Sequence, residues 1–126
     1  MSLNTPLRQV LGLGSARSGV HHWWLQRLTS IALVPLSIWF VVSLLCLPAF
    51  DHATVVAWIS HALTALLLVL LVLTIAWHSR LGLQVIIEDY VHDDRTKLIM
   101  LMANTFFAVA VGLASAFAIL MLSFKV

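Results

Sequence analysis

His78 stands at the end of a long apolar run, a place where an ionisable ring is expensive unless it has a task. Gly82 follows one turn later, and the pair Asp89-Tyr90 closes the same segment. At about 100° per residue, His78, Gly82, Val85 and Asp89 fall along one helical stripe, with Asp89 about 16 Å beyond His78. Tyr90 turns roughly a third of the way round from His78. A neutral imidazole is a good axial ligand for haem iron, and a glycine one turn away leaves room for a flat macrocycle. The same ring would also serve as an interior histidine hydrogen-bonded to another helix. The spacing alone leaves both readings open.

Tyr90 is the only tyrosine of the chain. Its phenol can donate a hydrogen bond to a carbonyl oxygen, though tyrosine is also common in the interfacial aromatic belt. Asp89 beside it has three candidate roles: relaying protons, pairing with Arg95, or capping the following loop. Further upstream, His21 and Arg27 lie six residues apart ahead of the first apolar run. A guanidinium so near hydrocarbon suits an anionic group such as a propionate or a lipid phosphate. It would equally serve as a plain topological anchor. His61 lies 17 residues before His78, about 25 Å along a continuous helix, so the two rings cannot share one iron. A haem held by two histidines at His78 would therefore need its second ligand from another chain. His61 is expected to pack with an interhelical hydrogen bond, while His52 and His92 fall in solvated loops.

The elements that hold these residues follow from composition. Of 126 residues, 62% are hydrophobic and only 10% charged, and the mean hydropathy is +1.05. Three stretches lack Asp, Glu, Lys and Arg: 23 residues between Arg27 and Asp51, 25 between His52 and His78, and 27 between Lys97 and Lys125. Each exceeds the ~20 residues that a helix needs to cross a ~30 Å hydrocarbon layer. The expected architecture is therefore an all-α membrane protein of three transmembrane helices. A basic arm covers 1–22 and is irregular around Gly12, Gly14 and Gly19. The spans cover about 23–47, 54–79 with a helical extension to about 88, and 97–124. Trp23 and Trp24 mark a headgroup belt, Pro35 interrupts the first span, and Ala108-x3-Gly112-x3-Ala116 offers a small-residue stripe for close packing.

Six of the seven basic residues, Arg8, Arg17, Arg27, Arg80, Arg95 and Lys97, flank the first span or lie between the second and third. The positive-inside rule places the N-terminus and the second loop in the cytoplasm and the C-terminus outside. The first apolar run is too long for a secretory signal. Cys46 is the single cysteine, which excludes an internal disulfide or thiolate cluster. The spans contain no Asp or Glu, which argues against a small transporter. So little polar chain implies that hard chemistry belongs to a cofactor or to other subunits. Nothing here suggests nucleic-acid binding.

Two blocks, Ser18-Gly-Val-His21 through Gln26-Arg27-Leu-Thr-Ser-Ile-Ala-Leu33 and His78-x3-Gly82-x6-Asp89-Tyr90, lie in order around this three-span chain. Together they resemble the small hydrophobic anchor subunit of succinate dehydrogenase (respiratory complex II), of the bacterial, alphaproteobacterial-like type. The resemblance covers essentially the whole chain. It implies a haem-binding bundle completed by a partner cytochrome b-type subunit, with His78 as one axial ligand to haem b. His21 and Arg27 would lie near the haem propionates, and Tyr90 with Asp89 would hold ubiquinone near the cytoplasmic face. The implied partners are a flavoprotein and an iron–sulfur subunit that deliver electrons from succinate, and the implied location is the bacterial cytoplasmic membrane. The doubled His21-His22 departs from the pattern; His21 keeps the spacing to Arg27. Two other functions stay open: a scaffold subunit without a cofactor, or the anchor of another haem b dehydrogenase or reductase.

Overall fold

The protein, seen here in a computed structural model, is described from residue 16 to residue 125, with side chains from Gly19 onward. Arg8, Gly12 and Gly14 of the expected arm lie outside the described residues. Four helices follow: α1 (Ala16–Leu45), α2 (His52–Ser60), α3 (Ala62–Tyr90) and α4 (Asp94–Phe124). Three are long and apolar enough to cross a bilayer, over Gly19–Leu45, Ala62–Tyr90 and Asp94–Phe124. At ~1.5 Å per residue each exceeds the ~30 Å hydrocarbon layer.

The first helix begins earlier than its apolar pattern suggests. Gly19, expected in irregular chain, lies within α1. Pro35 also lies inside α1. Its ring removes one amide donor, a loss that membrane helices tolerate where neighbours re-satisfy the carbonyl. α1 ends at Leu45, and Pro48 blocks further propagation.

A larger departure occurs at His61. The second hydrophobic stretch carries no glycine or proline to break it, yet it divides into α2 and α3. His61 adopts extended backbone, φ −69° and ψ 128°, ending one helix and capping the next. Two local features accompany the break. The Ser60 hydroxyl donates to the Val56 carbonyl at 2.7 Å, competing with the backbone ladder. Trp58 stacks on Trp39 of α1 with centroids 6.1 Å apart, and lies 6.3 Å from Phe40. The break allows Trp58 to leave the α3 axis and pack on α1. His61 itself is exposed, its side chain makes no capping bond, and the interhelical bond expected of it does not occur among the described residues.

α3 is the central element, packing against α4, α1 and α2. Its buried residues include Ala65, Leu68, Leu71, Leu81 and Ile87. On α4 the buried set is Ala108, Gly112 and Ala116, the small-residue stripe. A Cβ built on Gly112 would stand 3.2 Å from the Ala76 Cβ and 3.6 Å from Leu73 Cδ2. Only glycine lets the backbones approach so closely without displacement. Polar bonds supplement this seam: Asn104 Nδ2 donates to the Arg80 carbonyl at 2.9 Å, and Arg80 Nε to Thr105 Oγ1 at 3.1 Å.

The α3–α4 turn is short because α4 is capped at once. Asp93 accepts from the Thr96 amide at 2.8 Å and from its hydroxyl at 2.7 Å. These two bonds, the hydroxyl's first, hold the Asp93 carboxyl below the ordinary carboxylate range.

Candidate functional site

α3 presents His78 to α1, half-buried, where its Nδ1 lies 2.9 Å from the Thr29 hydroxyl. Thr29 is itself held by its own helix. Its Oγ1 lies 2.8 Å from the Leu25 carbonyl and 3.0 Å from that of Gln26. With Nδ1 engaged, Nε2 is the imidazole nitrogen left for another partner. One turn further on, a Cβ placed on Gly82 would meet nothing within 4 Å. Open space one turn from the His78 ring would admit a planar macrocycle held through that imidazole. No cluster of three or more His, Cys, Asp or Glu occurs among the described residues. A metal at His78 therefore needs its other ligands from a cofactor or a second chain.

The level of His78 is fixed by its bond to Thr29. Arg27 lies two residues earlier on α1, exposed, with its guanidinium 5.2 Å above the Trp23 ring. On α3, Arg80 lies two residues beyond His78, its guanidinium 4.6 Å from the Trp77 ring. The two helices run in opposite directions, so both cations sit on the same side of His78. Paired with indole faces, they form a cationic and aromatic layer of the kind found at a headgroup boundary.

The two adjacent histidines separate. His21 is exposed, whereas His22 is partly buried and its Nε2 is buried without a hydrogen-bond partner. Gln26 Oε1 is orphaned in the same way. His22, Gln26 and Thr29 recur at spacings of four and three, which puts them on one face of α1. That face meets α3 through Thr29. Two orphaned polar atoms there are sites where a further group would be stabilised, because an unpaired buried polar atom is costly.

Asp89 and Tyr90 lie at the end of α3, both exposed, and Tyr90 is its last residue. Tyr90 is 79% exposed, so the described residues build no enclosed pocket around its hydroxyl. At ~1.5 Å per residue it stands about 18 Å from His78 along the axis. The structure thus brings His78 together with Thr29, leaves Arg27 and His21 toward the same end, and keeps Asp89 and Tyr90 as a separate, more distal group. Asp89 does not cap the following helix; Asp93 does.

Sequence reasoning chose His21 over its neighbour His22, whose ring is the more buried of the two, and assigned no site role to Thr29, Gln26 or the Arg80–Thr105–Asn104 set. Thr29 did lie within a quoted block, but which α1 residue meets His78 depends on the register between two helices. The periodicity of either one alone does not contain it.

The profile of the succinate dehydrogenase/fumarate reductase transmembrane subunit family matches residues 1–112. The succinate dehydrogenase hydrophobic membrane anchor subunit of Rickettsia bellii (strain RML369-C) is 34% identical over 96 residues, 76% of this chain and 77% of that protein. The succinate dehydrogenase membrane anchor subunit of Reclinomonas americana is 30% identical over 86 residues, 66% of this chain and 72% of that protein. The Paracoccus denitrificans hydrophobic membrane anchor subunit is 26% identical over 102 residues, 81% and 79% respectively. Three membrane-length helices, the His78 arrangement and these matches lead to one conclusion: the chain belongs to the succinate dehydrogenase/fumarate reductase transmembrane subunit family.

Proposed function

We propose that this chain is the hydrophobic membrane anchor of a bacterial succinate:ubiquinone oxidoreductase. In this reading His78 supplies one axial ligand to haem b, and Tyr90, assisted by Asp89, binds the quinone. The observation that carries the reading is the His78 imidazole, with one nitrogen engaged by Thr29 and the other free beside the open space at Gly82.

Each residue then has a physical task. His78 binds through Nε2 and is held in rotation by its bond to α1. Arg27, with either His21 or the inward-facing His22, offers cationic or donor groups to propionates on the cytoplasmic side. Tyr90 donates its phenolic hydrogen to a quinone carbonyl, and Asp89 accepts or passes on a proton nearby. Bound haem b would contribute a one-electron redox centre between the donor side and the membrane. Succinate oxidation releases two electrons and two protons, and reduction of quinone to quinol consumes the same number, so the reaction balances. The first of these steps belongs to a flavoprotein and an iron–sulfur subunit, because this chain has too little polar structure to hold a flavin or an iron–sulfur cluster.

The exposed Tyr90 implies that a partner builds the rest of the quinone site. The lone histidine likewise implies a companion cytochrome subunit that supplies the second ligand. Orientation follows the charges: Arg27, Arg80, Arg95 and Lys97 face the cytoplasm, and the α1–α2 turn with the C-terminus faces outward.

The test is to purify the complex from its native membrane, identify its subunits and record its absorbance, both with His78 and with His78→Ala. We expect flavin-bearing and iron–sulfur partners, with a b-type spectrum that is lost or altered in the variant. A complex without b-type absorbance, or an unchanged spectrum in the variant, refutes the haem assignment.

A further inference from the structure

We propose that Thr29 is a positioning residue for His78. Its hydroxyl accepts the imidazole Nδ1–H and so holds the ring in the tautomer whose Nε2 lone pair is free for iron. The inference rests on the haem reading above and extends it to a residue of α1.

A proton count carries the argument. Thr29 has one hydroxyl hydrogen and three acceptors within reach: the Leu25 carbonyl at 2.8 Å, the Gln26 carbonyl at 3.0 Å and His78 Nδ1 at 2.9 Å. Threonines in helices commonly return this hydrogen to the carbonyl one turn back. Here two carbonyls of its own helix, at 2.8 and 3.0 Å, are in position to take it. With the hydrogen given to the helix, Oγ1 presents only lone pairs to His78. Nδ1 must then carry the ring hydrogen. In a neutral imidazole one nitrogen donates and the other accepts, so Nε2 is left bare. The opposite arrangement, with Thr29 donating to Nδ1, puts the hydrogen on Nε2 and blocks coordination there.

The contact also fixes the ring in space. Thr29 is pinned by its own backbone, and it is the one side-chain hydrogen bond joining α1 to α3 among the described residues. A hydrogen bond to the distal N–H of a metal-bound histidine orients the ring and raises its basicity, and losing such a partner typically weakens metal binding roughly 10–100-fold. A more basic imidazole favours the oxidised iron. Removing the acceptor therefore shifts the reduction midpoint upward.

The experiment uses the whole purified complex carrying Thr29→Val, Thr29→Ala or Thr29→Ser. Haem content per complex and the midpoint of the b-type absorbance are measured for each. Valine keeps the shape without the hydroxyl, alanine removes it without bulk, and serine retains it. We expect a raised midpoint and roughly tenfold easier haem loss in the hydroxyl-free variants, with serine restoring native values. Native midpoint and haem retention in Thr29→Val or Thr29→Ala, alongside a haem-free His78→Ala complex, overturn this inference and leave the haem reading standing. A native haem spectrum in His78→Ala overturns both.

Discussion

At the scale of single residues, the hydroxyl of Tyr90 and the imidazole of His78 are separable because about 18 Å of helix lies between them. Tyr90→Phe removes one hydrogen-bond donor and no bulk from an exposed site. We expect succinate-to-quinone turnover to fall about tenfold, the equivalent of one hydrogen bond of ~1.4 kcal/mol. Succinate oxidation with a soluble dye acceptor should be unchanged. Equal loss of both activities would show that the substitution damages assembly rather than quinone binding. Asp93 provides a second residue-scale expectation, away from the membrane. Its folded pKa lies below the unfolded value because it accepts from Thr96, so its cap stabilises α4 above the unfolded carboxyl pKa. That stabilisation is lost as pH falls through the unfolded and then the folded value. Amide exchange at Thr96 and Lys97 should lose protection below about pH 4. In Asp93→Asn, which keeps an acceptor oxygen but does not ionise, this pH dependence should disappear.

At the scale of elements, what the sequence reveals depends on whether an element is set by composition or by packing. The three long helices were legible from uncharged stretches, since a backbone in lipid must satisfy its own polar groups. The Ala108-Gly112-Ala116 stripe was legible for a related reason: in lipid, close contact replaces the hydrophobic effect as the force between helices. The division at Ser60-His61 was not legible. Neither residue is a strong breaker, and the Trp58–Trp39 stack that accompanies the break joins residues far apart in the chain. The Gly112 seam makes a sharp prediction. Gly112→Val drives methyl groups into Ala76 and Leu73 and should cost about 1–3 kcal/mol by overpacking. The melting temperature of the purified complex should fall accordingly. Gly112→Ala should be milder and should be relieved by Ala76→Gly, because the 3.2 Å contact is between those two positions. No relief in the double variant would mean that the seam adapts by shifting its backbone.

At the scale of the whole molecule, α3 stands between α1 and α4, whose backbones do not approach each other. Large apolar residues are exposed on each span, among them Ile31, Val34 and Ile38 on α1 and Phe106 and Phe117 on α4. Such surfaces suit lipid and the apolar helices of a companion subunit. The proposed direction of insertion rests on the charge asymmetry, and the single cysteine makes it measurable. In a Cys46→Ser background, Ala49→Cys places a thiol in the α1–α2 turn, which should react with an impermeant maleimide added outside intact cells. Labelling only from the cytoplasmic side would reverse the proposed topology.

Ala76 and His78 lie two positions apart on α3, about 200° around its axis, so one addresses α4 and the other α1. These two attachments share a rigid angular phase. An extra residue inserted beside Trp77 would therefore turn one of them away from its mate. An extra residue in α2 meets the non-helical joint at His61, which can take up the added length before it reaches the imidazole. Length variation should accordingly be tolerated on the outer side of that joint and penalised next to Trp77.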